Sequence, residues 1–206
     1  MTRGRLVLAS GNQGKIREIR QALEGLPLEI LTCDDFEDWP VLEEKGSTYE
    51  ENAAAKATLL SRWAGLPALA DDSGLEVDEL GGAPGVISAL YAGEHGNDAA
   101  NIARLLREMD GIPEERRGAR FVCVLALASP RGERLLVRET CRGLLAEAPQ
   151  GELGFGYDPV FFPEGMERTM AELPLEEKNA ISHRGKALRR LRRLLESGEP
   201  SWLFGQ

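Results

Sequence analysis

The order of strand-like and helical segments constrains the fold of this 206-residue chain more than any other feature. The first half alternates short apolar strands with amphipathic helices. The second half contains two long strand-like segments separated by a turn, Pro130–Glu133. The predicted strands are 5–10, Leu28–Thr32, Pro67–Asp72, Leu75–Leu80, Arg120–Ser129 and Arg134–Ala146. This order predicts an α/β fold with a central mixed sheet flanked by helices.

Amphipathic periodicity and capping signals place the helices. After Gly14, Ile16, Ile19 and Leu23 recur at helical spacing. The other predicted helices are Thr48–Ala64, which begins with a capping-box pattern, Asn97–Met109, and Arg184–Ser197. Between two predicted strands, the sequence Asp-Asp-Ser-Gly at 71–74 is expected to form a turn.

Composition limits the class of protein. Length favours a single domain spanning 1–206. The net charge of −9 disfavours binding to long nucleic acid, and no apolar run reaches the ~20 residues of a membrane span. Cys33, Cys123 and Cys141 are scattered without CxxC spacing, which indicates reduced thiols and a cytoplasmic location.

The segment Ser10–Lys15, with the sequence SGNQGK, joins the first predicted strand to the first predicted helix. Amide groups at a helix N-terminus carry partial positive charge and can bind phosphate. Gly11 and Gly14 would let a ligand approach the backbone closely, and Lys15 adds a full charge. The segment differs from a Walker loop, because Ile16 stands where Ser or Thr should follow the lysine. An ordinary turn between strand and helix is the alternative.

Two acidic pairs, Asp71-Asp72 and Glu43-Glu44, are candidate metal ligands. The aspartates end an apolar strand, where a charge is costly unless it is paired or bound to a cation. Adjacent strand residues point to opposite faces, so we expect one aspartate to face the site. Carboxylates beside phosphate are typical surroundings of Mg²⁺. The alternatives are that Asp72 caps the turn through the Ser73 and Gly74 amides, and that the glutamates are solvent-exposed.

Two later segments supply aromatic and cationic groups. Phe155 and Tyr157 lie in a loop bracketed by glycines, where an aromatic ring can stack on a base, although Asp158 can instead simply fix a turn. The segment Glu177–Arg184 contains a lysine, a histidine and an arginine. Lysine and arginine side chains donate hydrogen bonds, so they can bind a keto oxygen or a phosphate. They have no acceptor for an exocyclic amino group, which would stay unpaired. For His183, a structural role is the alternative.

Taken together, the four segments resemble those of the inosine triphosphate pyrophosphatase family, whose members hydrolyse non-standard purine nucleoside triphosphates. The similarity extends from Leu6 to about Leu191 and includes the Leu80–Gly85 loop and the Thr48–Lys56 helix start. Four motifs in the same order are far more specific than any one of them.

The resemblance implies a role for each segment. Asp72 matches the catalytic base and metal ligand, and Glu43 matches the other metal-linked carboxylate, with Glu44 as its less favoured neighbour. Phe155 would stack on the purine, while Lys178, His183 and Arg184 would recognise its keto face. The substrate-binding residues implied are Ser10, Gly11, Asn12, Gln13, Gly14, Lys15, Ser73, Phe155, Gly156, Tyr157, Asp158, Lys178, His183 and Arg184.

The resemblance also implies an elongated, two-lobed homodimer with a substrate cleft between the lobes and Mg²⁺ as cofactor. The leading hypothesis is attack of water on the α-phosphorus of ITP, dITP, XTP or dXTP, which releases the monophosphate and pyrophosphate and cleanses the nucleotide pool. The expected partners are these small molecules, with no nucleic acid and no membrane. Two alternatives stay open: a sensor that binds nucleotide without hydrolysis, and a pyrophosphatase for modified pyrimidines with a smaller base pocket.

Overall fold

The computed structural model describes residues 4–204 and contains one six-stranded sheet in the order β2-β1-β3-β4-β5-β6. The strands are β1 Gly4–Ala9, β2 Leu28–Leu31, β3 Ala68–Val77, β4 Gly118–Ala128, β5 Arg134–Leu145 and β6 Phe161–Pro163. β1 pairs in parallel with both β2 and β3, whereas β6 pairs antiparallel with β5. The predicted α/β class with a mixed central sheet flanked by helices is therefore confirmed.

Within residues 4–204, four helices form where capping and periodicity predict them, and two short helices were not predicted. The helices are α1 Gln13–Leu23, α2 Tyr49–Ala64, α3 Asp98–Glu108, α4 Leu175–Ile181, α5 His183–Glu196 and α6 Ser201–Phe204. The side chains of Asn12, Thr48 and Asn97 cap the first three, and Gly65 ends α2 in the left-handed conformation that favours glycine. None of the helices within 4–204 is both long and apolar enough to cross a bilayer.

The predicted turn at 71–74 is wrong, because β3 continues through it. Asp71, Asp72, Ser73 and Gly74 all lie inside one ten-residue strand, and the two predicted strands on either side of them are one. The composition suggests a turn, but the segment is largely buried, and its position between β1 and β4 keeps it extended. Burial and strand pairing outweigh local propensity here.

The chain divides into two compact units, each with its own apolar core. The first contains the chain up to Asp72, Cys123–Arg138 and the chain from Ala187, and the second contains Ser73–Val122 and Glu139–Lys186. In the first, side chains of α1 and α5 pack with residues of β1, β3 and β4. In the second, residues of α3 pack with Phe121, Phe161 and Met170. That the whole chain acts as one domain stays a prediction.

Candidate functional site

The predicted phosphate-binding segment lies at the N-terminus of α1. Asn12 caps the helix, since its Oδ1 accepts a hydrogen bond from the Lys15 amide at 3.0 Å. The hydroxyl of Ser10 accepts from the Asn12 amide at 3.2 Å. Within residues 4–204, the amides of Gln13 and Gly14 have no acceptor. These first-turn amides are therefore available to an anion, as the sequence predicts.

Lys15 is tied to a buried carboxylate. Its Nζ lies 2.5 Å from Oδ1 of Asp71, whose side chain is fully buried. On its other oxygen, Asp71 contacts the thiol of Cys123 at 3.4 Å. β1 and β3 run in parallel with Ala9 opposite Ala70, so this ion pair lies just beyond the carboxyl end of β1. Asp71 thus holds the Lys15 ammonium at the carboxyl ends of the parallel strands, where α/β proteins commonly bind ligands.

Asp72 belongs to a second charged group, centred on Lys56 of α2. The Lys56 ammonium donates to Oδ1 of Asp72 at 2.8 Å, to Glu44 at 2.5 Å, and to the carbonyl of Asp71 at 2.9 Å. Lys56 and Asp72 are both buried, whereas the Glu44 side chain is 37% exposed. The ammonium therefore has three acceptors, two of them charged.

Burial dominates the protonation of Asp72. It raises the pKa of this carboxyl to about 6, against the opposing attraction of Lys56. Burial also acts to raise the pKa of Glu44, but Lys56 outweighs it and the pKa of Glu44 is lowered. The pKa of Lys56 is raised, because its two carboxylate partners outweigh the cost of burying its charge. Asp72 is therefore the member of the group that can change its protonation near neutral pH.

The two glutamates of the acidic pair have different partners. Glu44 contacts Lys56, whereas Glu43 contacts the exposed Lys45 at 2.7 Å. Asn52 fixes the following turn by accepting from the Gly46 amide at 2.7 Å. A Cβ at Gly46 would lie 2.7 Å from the same Asn52 oxygen, so the close approach requires glycine. The structure brings Glu44 to Asp72 through Lys56, and Glu43 is not among the described contacts of this group.

The charged residues fit a divalent cation. Oδ2 of Asp72 is buried and has no hydrogen-bond partner within residues 4–204. Asp71, Asp72 and Glu44 carry three carboxylates against the two ammonium groups of Lys15 and Lys56. No group of three or more His, Cys, Asp or Glu is arranged as a metal cage in the described part of the chain. Magnesium needs no such cage, because one or two carboxylates and phosphate oxygens suffice.

The predicted base-binding loop lies in the second unit and is built around Asp158. The Oδ2 atom of Asp158 accepts from the Phe155 amide at 2.9 Å and from the Lys178 ammonium at 2.6 Å. Gly154 takes a positive φ of 78°, and a Cβ there would lie 2.1 Å from the same oxygen. Asp158 fixes the turn, as one of the sequence-based alternatives proposed, and it also positions Lys178.

The two aromatic residues of the loop have different environments. The ring of Phe155 is half-buried, with Lys178 Nζ 4.6 Å and Arg184 Cζ 5.3 Å from its centroid. Tyr157 packs in the core of the second unit, and its hydroxyl donates to the Ser88 carbonyl at 2.9 Å. The ring available for stacking is therefore that of Phe155.

His183 and Arg184 occupy the first turn of α5. Ser182 accepts from the Gly185 amide at 3.1 Å, the contact of an N-cap residue. The imidazole of His183 stacks on Phe121 with centroids 4.7 Å apart, and Arg184 donates to the hydroxyl of Ser73 at 2.8 Å. Both are buried. The structure thus brings the predicted residues Ser73, Phe155, Asp158, Lys178 and Arg184 into one contiguous group.

Sequence reasoning missed Lys56 as a site residue. Lys56 lies on the buried face of α2 at helical spacing from Tyr49, Asn52, Ala53 and Leu60. Burying a lysine at such a position is costly unless its charge is paired. A lysine on the apolar face of the predicted helix was therefore the sequence signal that could have identified Lys56. The sequence around Lys15 also does not indicate its ion pair with Asp71.

Comparison with known proteins finds similar chains over nearly the whole sequence. The model of the Ham1 family matches residues 6–194. A dITP/XTP pyrophosphatase from Geobacter sulfurreducens is 54% identical over 184 residues, covering 89% of this chain and 92% of the relative. One from Bacillus cereus is 48% identical over 203 residues, covering 98% and 97%. The structure of a HAM1 protein from Coxiella burnetii superposes with a TM-score of 0.86 at 42% identity, covering 94% and 98%.

These similarities confirm the resemblance inferred from the motifs, because they span nearly the whole chain and agree with one another. The chain belongs to the Ham1 family.

Proposed function

We propose that this protein hydrolyses non-standard purine nucleoside triphosphates, ITP, dITP, XTP and dXTP, to the monophosphate and pyrophosphate. The observation that carries the proposal is the buried Asp72 carboxylate, in which one oxygen accepts from Lys56 and the other has no partner among residues 4–204. A pure binding module has no need of such a group, because a buried unpartnered oxygen is costly. The relatives that carry the name dITP/XTP pyrophosphatase support the same reaction class.

Asp72 orients or deprotonates the water that attacks the α-phosphorus. Lys56 fixes the carboxylate from one side, and a pKa of about 6 leaves Asp72 ionised at neutral pH yet basic enough to accept a proton. Lys15 and the free amides of α1 hold the leaving pyrophosphate. Most of the rate then comes from positioning and charge stabilisation.

Magnesium is the proposed cofactor, and it would screen the phosphate charge. Asp72, through its unpartnered oxygen, and a glutamate of the Glu43-Glu44 pair are the proposed ligands. Glu43 is the ligand expected from the resemblance, but the contacts favour Glu44, since Glu44 shares Lys56 with Asp72 and Glu43 pairs with Lys45.

The second group of residues is proposed to bind the base. The ring of Phe155 stacks on the purine, and the cations of Lys178 and Arg184 donate to its 6-keto oxygen. His183 adds a further polar group at the start of α5. Adenine carries an amino group at this position, so it would set donor against donor.

Hydrolysis of ITP with Mg²⁺, followed by phosphorus NMR, tests the proposal. We expect IMP and pyrophosphate, and we expect Asp72→Asn to lower kcat by about 10³-fold or more while the fold persists, since this substitution removes the base. Orthophosphate release would show attack at the γ-phosphorus instead. Absence of any hydrolysis would favour a nucleotide sensor, and near-normal kcat in Asp72→Asn would remove Asp72 from the reaction.

Three further properties are part of the proposal. The protein is proposed to be a homodimer, to act in the cytoplasm where nucleoside triphosphates are used, and to function as one domain over 1–206. The three cysteines are free thiols, which is compatible with a reducing compartment. Light scattering on a size-exclusion column measures the oligomeric state directly.

A further inference from the structure

We propose that Asp98 is a positioning residue for the base, because it holds the Phe155–Tyr157 loop in its binding conformation. Oδ2 of Asp98 accepts a hydrogen bond from the amide of Gly156 at 2.6 Å. Asp98 is the first residue of α3 and precedes Gly156 by 58 positions, so the contact is tertiary and not part of a local turn.

The carboxylate of Asp98 is not needed to cap its own helix. Asn97 is the N-cap of α3, and its side chain already accepts from the Ala100 amide at 3.0 Å. The Asp98 side chain therefore bonds to the loop, while the cap of α3 is already complete without it. A carboxylate that accepts from a backbone amide makes a stronger bond than a neutral acceptor does.

The backbone of the loop needs a restraint such as the bond from Asp98. Gly154 and Gly156 both take positive φ values, 78° and 62°, and glycines lose more conformational freedom on ordering than other residues. Asp158 fixes the amide of Phe155, and Tyr157 is anchored by its hydroxyl, which donates to the Ser88 carbonyl, but neither contact holds the Gly156 amide. Asp98 supplies that restraint at the residue directly after the stacking ring.

The bond also determines what the loop can offer to a ligand. With the Phe155 amide on Asp158 and the Gly156 amide on Asp98, both backbone donors beside the ring are occupied. The loop therefore presents the ring of Phe155, while Lys178 and Arg184 supply the donors to the base. If Asp98 is removed, the ring loses its fixed position and Gly156 gains a free donor.

This inference rests on the proposed function, and binding of the two reaction products tests it. IMP contains the base, whereas pyrophosphate does not. We expect Asp98→Ala to raise the Kd of IMP about tenfold and to leave the Kd of pyrophosphate within about twofold, measured by calorimetry with Mg²⁺. With ITP as substrate, KM should rise about tenfold with kcat changed less than about threefold.

Two further variants separate positioning from a general structural effect. Asp98→Asn keeps an acceptor oxygen and should restore IMP binding to within about threefold of the natural protein. Asp110→Ala removes an exposed aspartate just beyond the other end of α3 and should change neither Kd. Equal weakening of IMP and pyrophosphate by Asp98→Ala, or no weakening of IMP, would overturn the proposal.

Hydrogen exchange gives a readout that does not depend on activity. In Asp98→Ala, exchange should quicken in the peptide that covers Gly154–Asp158 and stay unchanged in β4. Faster exchange throughout the second unit would show loss of structure and would count against positioning. If the natural protein did not hydrolyse ITP, the proposed function would fail, whereas the exchange result would still decide whether Asp98 restrains the loop.

Discussion

At Asp72, burial and the proposed chemistry favour opposite protonation states of the carboxyl group. Burial favours the neutral acid, whereas acting as a base or binding a cation requires the anion. Lys56 makes both possible, because its ammonium stabilises the anion through Oδ1, while Oδ2 has no partner in the described part of the chain. The pKa of about 6 is the balance of these influences.

The pH dependence of cation binding follows from that balance. In the proposed site protons compete with Mg²⁺ for Asp72, so the apparent Kd of Mg²⁺ should be constant above about pH 7 and rise about tenfold per pH unit below about pH 6. Calorimetric titration between pH 5 and 8 measures this. Asp72→Asn should bind weakly at every pH in this range. A Kd that does not change between pH 5 and 7 in the natural protein would exclude Asp72 as the titrating ligand.

The adjacent residues Glu43 and Glu44 allow a matched comparison of two candidate metal ligands. Glu44→Gln should raise the Mg²⁺ concentration needed for half-maximal activity about tenfold, because Glu44 lies beside Asp72 on Lys56. Glu43→Gln removes the same charge from the adjacent residue, which pairs with an exposed lysine, and should change it less than about twofold. Magnesium titrations of ITP hydrolysis compare the two variants. The reverse order would identify Glu43 as the ligand.

At the scale of elements, the junction between α4 and α5 leaves no room for a side chain at Gly185. A Cβ on Gly185 would lie 1.9 Å from the carbonyl oxygen of Asn179, which is backbone and cannot rotate away. We expect Gly185→Ala to cost about 2 kcal/mol and to lower Tm by about 5 °C in thermal unfolding. Gly11→Ala is the control, since its Cβ would meet nothing within 4 Å, and its Tm should be unchanged. Equal Tm values for both variants would contradict this account.

How far the sequence predicts each element depends on whether its signal is local. The Asn12 cap, the apolar stripe of α1, and the alternation of strands and helices are local, and they predict the first βα unit and the mixed sheet. Strand β3 was predicted as two strands and a turn, because its central residues have turn-like composition and only pairing with its neighbours keeps them extended. β6, α4 and α6 were not predicted, since each is short.

The same distinction applies to the candidate site. The four motifs predicted the phosphate-binding helix terminus, Asp72 and the Phe155 loop, because their residue types have a chemistry that is visible in a short segment. Lys56 and Asp98 were missed, because each acts through a contact with a residue 16 or 58 positions away. Such pairings are set by the fold and leave no local pattern.

At the scale of the whole molecule, the proposed function requires the protein to distinguish between nucleotides that share the same triphosphate and differ in the base. Phosphate contacts cannot do this, so selectivity has to come from the group around Phe155, Lys178 and Arg184. We expect kcat/KM for ITP and XTP to exceed that for ATP by at least about 10², because a 6-keto oxygen accepts from these donors whereas the adenine amino group opposes them with another donor. A nucleotide panel at fixed Mg²⁺ measures the ratios. Comparable hydrolysis of ATP would refute this view of the base site.

The continuous path of β3 has a consequence for which changes the chain can tolerate. Asp71 and Asp72 are chemically identical neighbours, yet one holds Lys15 and the other meets Lys56. Successive strand residues face opposite sides of a sheet, so inserting one residue before this pair would move Asp71 into the position of Asp72 and Asp72 into that of Ser73. Both aspartates would still be present in the sequence, but neither would stand in its own environment. We therefore expect homologous chains to vary in residue type along β3 while its length stays fixed.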